Sequence, residues 1–119
     1  MTNIAEQVLV VTGGTSGIGE AFARSFGAEG ASVVIAGRNG EKAQRIASDI
    51  VKSGGKAIGV TCDVTQQSDC DALIAATLAE YGRLDTVFAN HGAAGEIGPL
   101  VRWSDEDVQQ TVNVNLLGT

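Results

Sequence analysis

The sequence predicts an α/β fold, a doubly wound parallel sheet with helices on both faces. Three observations carry the prediction. Short apolar runs alternate with helical patterns along the whole chain. The first run, Val8 to Val11, has three β-branched residues in four and is too short for a helix. A glycine cluster, Gly13-Gly14-Thr15-Ser16-Gly17-Ile18-Gly19, stands between that run and the first helix. Strict strand–helix alternation implies right-handed crossovers, and the expected strand order is 3-2-1-4. A ligand is then expected outside the carboxyl ends of the strands, at the switch point between strands 1 and 4.

The elements follow in order. After the glycine cluster, Ile18, Ala21, Phe22 and Phe26 fall on one helical face. The glycines from Gly27 to Gly30 end that helix. Ser32 to Ala36 is the second strand, and Gly37-Arg38-Asn39-Gly40 a turn. Glu41 to Ser53 is a helix with apolar residues at 43, 46, 47, 50 and 51, stopped by Gly54-Gly55. Lys56 to Cys62 is the third strand. Ser68 is expected to cap a third helix, with Leu73, Ile74, Leu78 and Tyr81 on one side and Gly82 at its end. Leu84 to Ala89 is the fourth strand, and a loop from Gly92 to Pro99 leads to a helix starting near Ser104. Glu106 and Asp107 in its first turn favour the helix dipole.

Composition bounds the function. The 119 residues suffice for one domain with a core, not for two. The formal net charge of −6 offers no basic patch for a nucleic-acid backbone or an anionic membrane. No apolar run approaches the ~20 residues of a membrane span. The first seven residues lack the basic and apolar segments of a signal peptide. Cys62 and Cys70 are the only cysteines, and their spacing is not a zinc pattern, so no metal site is expected. Cys62 is expected as a buried thiol, and the compartment as the cytoplasm.

The glycine cluster has a physical purpose. A helix start leaves N–H groups without partners and carries partial positive charge. A pyrophosphate reaches those groups only where no Cβ intervenes. Gly13 permits the sharp turn out of the strand, Gly17 the approach of phosphate, and Gly19 close packing of the helix. Thr12-Gly13-Gly14-Thr15-Ser16-Gly17-Ile18-Gly19 resembles the Thr-Gly-x-x-x-Gly-Ile-Gly motif of the short-chain dehydrogenase/reductase family. The resemblance spans nearly the whole chain and about the first half of a family member. It implies a Rossmann-type fold, with residues 1–119 forming one NADP(H)-binding domain, truncated relative to the family. The implied cofactor contacts in this motif are Gly13, Thr15, Ser16, Gly17, Ile18 and Gly19.

Cofactor preference is read at the end of the second strand. An acidic residue about 20 residues past the glycine motif would hold the ribose 2′-hydroxyl of NAD. Gly37 stands there, followed by Arg38 and Asn39. A guanidinium pairs bidentately with a 2′-phosphate, so NADP(H) is favoured over NAD(H). The alternative is that Arg38 is a solvated turn residue or stacks on adenine without discriminating. Cys62-Asp63-Val64 ends the third strand, and the resemblance puts Asp63 and Val64 beside the adenine. Otherwise Asp63 caps the next turn. Ala89-Asn90-His91-Gly92 is similar to the family's Asn-Asn-Ala-Gly motif. Asn90 and Gly92 match and imply a turn beside the cofactor ribose; Ala89 and His91 depart. His91, the single histidine, reads better as pocket wall than as a catalytic group.

Val112-Asn113-Val114-Asn115-Leu116-Leu117-Gly118 resembles the family's Val-Asn-Leu-x-Gly stretch. Asn115 takes the place of the Asn in its Asn-Ser-Tyr-Lys catalytic tetrad, which holds a water in a proton relay. Otherwise Asn115 bonds backbone within its helix. The Ser and the Tyr-x-x-x-Lys pair lie beyond Thr119 in the family pattern, and Tyr81 is followed by Asp85, not Lys. The expected function is a carbonyl/alcohol oxidoreductase, with this chain inactive alone and marginally stable because strand 4 is left as an edge. A small-molecule substrate and a homo-oligomer, dimer or tetramer, are implied for the full length. The alternative is a non-catalytic dinucleotide-binding module, a redox sensor or a scaffold. A methyltransferase fits poorly, because its methyl donor has no phosphates for the glycine motif to hold.

Overall fold

The computed structural model describes residues 3–92 and 98–119. Four parallel strands, β1 (Val8–Thr12), β2 (Ser32–Gly37), β3 (Lys56–Thr61) and β4 (Thr86–Ala89), form one sheet in the order 3-2-1-4. The helices are α1 (Gly17–Ala28), α2 (Gly40–Lys52), α3 (Gln67–Tyr81) and α4 (Asp105–Val112). A π turn, Asn113–Leu117, continues α4.

Every residue of β1 and β2 is buried, as expected of central strands covered on both faces. One layer of core joins Leu9, Val11, Val33 and Ile35 to Ala23 of α1 and to Ala43, Ile46, Ala47 and Ile50 of α2. The opposite face packs Val10, Val34 and Ala36 against Cys62 and Leu73. The stripe expected on α2 holds at 43, 46, 47 and 50, while Val51 is exposed.

Three expectations need correction. The buried face of α1 is Gly19, Ala23 and Gly27, with Phe22 and Phe26 half-buried, whereas Ile18 is 73% exposed and Ala21 is exposed too. The branched side chains of the sheet and α2 already fill the space under α1. A Cβ on Gly27 would come within 2.7 Å of Ile50 Cγ2. The third helix starts at Gln67, so Ser68 lies inside it and caps nothing. Its entry is organised by two aspartates instead: Asp69 accepts from the Asp63 N–H at 2.9 Å, and Asp63 Oδ1 accepts from the Thr65 N–H at 2.9 Å. The inward face of α3 carries Leu73 and Thr77, while Ile74 and Leu78 are exposed. Thr77 is hidden because its hydroxyl donates to the Leu73 carbonyl at 2.8 Å.

Strand β4 begins at Thr86, two residues later than expected. The Asp85 carboxylate takes the Val8 N–H at 2.8 Å, and the Asp85 N–H donates to the Val8 carbonyl at 3.0 Å, so a side chain starts this pairing. Among the described residues β4 pairs only with β1, and Val87 is 51% exposed. The loop read between Gly92 and Pro99 lies outside the described residues at 93–97. Ser104 does cap α4, in a reciprocal box with Asp107: Ser104 Oγ accepts the Asp107 N–H at 3.0 Å, and Asp107 Oδ2 accepts the Ser104 N–H at 2.9 Å.

Candidate functional site

The carboxyl ends of the four strands open onto a cleft of about 290 Å3. Its wall includes Gly13, Thr15 and Ser16 from the turn after β1, and Arg38 and Asn39 after β2. Asp63 and Val64 follow from β3, and His91 and Gly92 from β4. A larger hollow of about 540 Å3 lies between the C-terminal ends of α1 and α2, away from all these residues. The chemistry-bearing side chains choose the smaller one. Among the described residues no helix is long and apolar enough to cross a membrane. Among those same residues, no cluster of three His, Cys, Asp or Glu could hold a metal.

The turn after β1 is built for close approach. Gly13 has φ +63°, and a Cβ there would stand 3.0–3.1 Å from the backbone of Asn90 and His91. Gly14 donates its N–H to the Ala36 carbonyl at 3.2 Å, holding the turn to the end of β2. Gly17 has φ +55°, and the place of its missing Cβ is open, with nothing within 4 Å. Ser16 precedes α1 without a side-chain cap, so the first N–H groups of the helix face outward uncapped. A Cβ on Gly19 would collide with the Gly13 carbonyl and the Asn90 amide. This cradle, at the positive end of a helix, fits an anionic phosphate.

The remaining residues fall into place around it. Arg38 is exposed at the cleft rim. Asn39 caps α2, its Oδ1 accepting from the Lys42 N–H at 3.1 Å. Asp63 accepts from both the N–H and the hydroxyl of Thr65, the latter at 2.6 Å, which is the turn-capping geometry. Those bonds hold its carboxyl below the usual range, with the Arg38 charge adding to the effect. Asn90 donates its side-chain N–H to the Gly13 carbonyl at 3.2 Å and its backbone N–H to Thr12 Oγ1 at 3.2 Å. Ile18 points to solvent, and Gly17, Ile18, Gly19, Asn90 and Asn115 are not on the cleft wall.

Asn115 lies in the π turn, a distortion that the residue pattern of α4 does not signal. Its side-chain N–H donates to the Thr111 carbonyl at 2.9 Å, the backbone bond weighed as the alternative. A Cβ on Gly92 would stand 2.9 Å from Asn115 Oδ1, so this side chain closes on the end of the β4 turn.

Sequence reasoning missed Gly37 as a site residue in its own right. A Cβ there would stand 2.8 Å from Thr15 Cγ2, so a side chain at this position would require Thr15 to shift. It also missed Ala36 and Val114 on the cleft wall. Of these, Val114 alone had a signal, its place among the valines of the last helix. Cys62 is buried as expected, and burial pushes its thiol up to about 11.

Fold and cleft together define an α/β protein with an open glycine turn before a helix at the switch point of its sheet. The family model described as short chain dehydrogenase matches residues 7–119, and the chain belongs to that family. A 2,5-dichloro-2,5-cyclohexadiene-1,4-diol dehydrogenase of Sphingobium indicum is 39% identical over 100% of this chain and 46% of its own length. A 3beta-hydroxysteroid dehydrogenase of Mediterraneibacter gnavus is 36% identical over 98% of this chain and 42% of its own. A metagenomic short-chain oxidoreductase solved in complex with NADP superposes with a TM-score of 0.89 at 35% identity, covering 98% of this chain and 53% of that one. An actinorhodin polyketide ketoreductase solved with NADPH gives 0.88 at 36% identity, covering 99% and 45%. The chain thus spans about half the length of the relatives it matches.

Proposed function

We propose that this chain is the cofactor-binding part of an oxidoreductase that interconverts a carbonyl and an alcohol, with NADP(H) favoured over NAD(H). The observation that carries the reading is the cradle of Gly13 to Gly19 at the open N-terminus of α1. There Gly13, Thr15, Ser16 and Gly17 hold the pyrophosphate, with Ile18 and Gly19 completing the turn. Asn39 stands with Arg38 at the adenosine end; Asp63 and Val64 border the adenine; Asn90 and Gly92 border the ribose nearer the reacting ring. When bound, the nicotinamide supplies or accepts the hydride.

Two facts support the NADP(H) preference. Arg38 offers a fork of donors at the rim, and Gly37 carries no carboxylate to repel a 2′-phosphate. Relatives solved with NADP and NADPH point the same way. Asn115 is the tetrad member in this chain; the Ser, Tyr and Lys belong to the part that the relatives have and these 119 residues do not include. The chain alone is therefore inactive in this reading. The full protein acts on a small molecule in the cytoplasm as a homo-oligomer.

Titration with NADPH and NADH, in the parent and in Arg38→Ala, tests the reading. Loss of a charge-assisted bond worth about 1.5–3 kcal/mol should weaken NADPH by roughly 10- to 100-fold and leave NADH nearly unchanged. Equal preference in both proteins would refute the role of Arg38. Absence of binding by a folded full-length parent would refute the cradle.

A further inference from the structure

We propose that His91 is a positioning residue: its imidazole, as the Nε2–H tautomer, ties the end of β1 beneath the cleft to the turn that carries Asn115. The proposal rests on the role given to Asn115 above.

The ring is held at both nitrogens. Nδ1 lies 2.9 Å from Thr12 Oγ1, and Nε2 lies 3.2 Å from Thr119 Oγ1. Thr119 donates its only hydroxyl proton to the Asn115 carbonyl at 3.2 Å. Its oxygen can then only accept from the ring, which requires a proton on Nε2. In the neutral ring Nδ1 must accept, and the Thr12 hydroxyl supplies that proton. Thr12 Oγ1 in turn accepts the Asn90 N–H at 3.2 Å, a donor it shares with the Phe88 carbonyl at 2.9 Å. The competing acceptor for Thr12, the Phe88 carbonyl, is farther away at 3.4 Å.

One directed chain results. It runs from the Asn90 N–H through Thr12, the imidazole and Thr119 to the Asn115 carbonyl. Asn90 also holds the Gly13 carbonyl, so the chain begins at the floor of the phosphate turn. Its far end fixes the backbone of the residue whose side chain closes on Gly92. Both ring nitrogens are engaged, which holds the ring as a strut between Thr12 and Thr119. The family motif has alanine at this place, so the β4 turn forms without the imidazole. The strut is an addition to that motif.

The test uses the full-length protein with 15N-labelled histidine, the His91 signals being assigned by their loss in His91→Ala. The expected spectrum shows an unprotonated Nδ1 and a protonated Nε2, and Thr119→Val shifts the Nε2 signal. His91→Ala and Thr119→Val should each lower kcat about 3- to 10-fold, the equivalent of one neutral hydrogen bond. NADPH affinity should stay within about twofold, and the double variant should be no slower than the slower single one. An Nδ1–H tautomer, an unchanged kcat in His91→Ala, or additive losses in the double variant would overturn the proposal. A parent that binds no NADP(H) overturns the proposed function instead, and the nitrogen spectrum then still decides whether the strut exists.

Discussion

Gly17→Ala separates the two tasks of the phosphate turn, because the added methyl group meets nothing in the free chain. Its cost to folding is conformational. An L-residue in the left-handed region costs about 1–2 kcal/mol. The lower entropy of an unfolded alanine offsets part of this by stabilising the folded state, about 0.4–1 kcal/mol. The net loss is about 1 kcal/mol, small against the roughly 5–15 kcal/mol of a domain. Its cost to binding is larger, since the Cβ occupies the space through which a phosphate reaches the first N–H groups of α1. Losing one charge-assisted bond costs about 1.5–3 kcal/mol, so NADPH affinity should fall at least tenfold. Gly19→Ala provides the contrast. Its Cβ meets a backbone carbonyl and the Asn90 amide, so overpacking of about 1–3 kcal/mol falls on the fold itself. Urea unfolding followed by Trp103 fluorescence, then NADPH titration of the folded full-length variants, measures both quantities. Gly19→Ala should unfold at lower urea, and Gly17→Ala should lose affinity out of proportion to its stability. A folded Gly17→Ala that binds NADPH within twofold of the parent would refute the approach of phosphate at that position.

Three further outcomes are expected. Gly59→Ala should lower stability by about 1–3 kcal/mol in urea, because its Cβ would come within 2.5–2.7 Å of the Ala43–Gln44 backbone and push α2 off β3; an unchanged midpoint would contradict this packing. Alkylation at pH 8 should label half-buried Cys70 well before Cys62. Burial raises the Cys62 thiol from 9.0 to about 11, roughly a hundredfold smaller thiolate fraction, and peptide mass spectrometry reads the order. The depressed Asp63 carboxyl stabilises the fold above the unfolded value of about 3.9, and that contribution is lost as pH falls through the lower folded value. Asp63→Asn should therefore flatten the acid limb of the stability curve between pH 5 and pH 3, and parallel curves would show that Thr65 does not stabilise the charged form.

The sheet was legible because its signals are local. Val8–Thr12 and Ser32–Gly37 are unbroken apolar runs, and such runs with helices between them leave few alternatives to a parallel sheet. The glycine turn was legible for the same reason: positive φ at Gly13 and Gly17 is a demand that the backbone makes on the residue type. Helix faces were less so. Ile18, Ile74 and Leu78 share a helical period with buried neighbours yet face outward, because the buried stripe depends on which partner fills the groove. Thr77 went inward once its hydroxyl had a carbonyl to bond.

The sequence by itself determined the strands, the glycine turn at the start of α1 and the absence of an acid after β2, since each follows from residue type at short range. Only the tertiary structure decided which helix faces are buried, and which residues His91 meets, Thr12 and Thr119. Thr12 and His91 are 79 residues apart in the chain, and His91 and Thr119 are 28 apart. Their hydrogen bonds exist only once β1 and β4 have paired and the last helix has closed against them. Contacts of that kind leave no period or motif in a sequence, because they depend on the distance between elements and not on the residues within one.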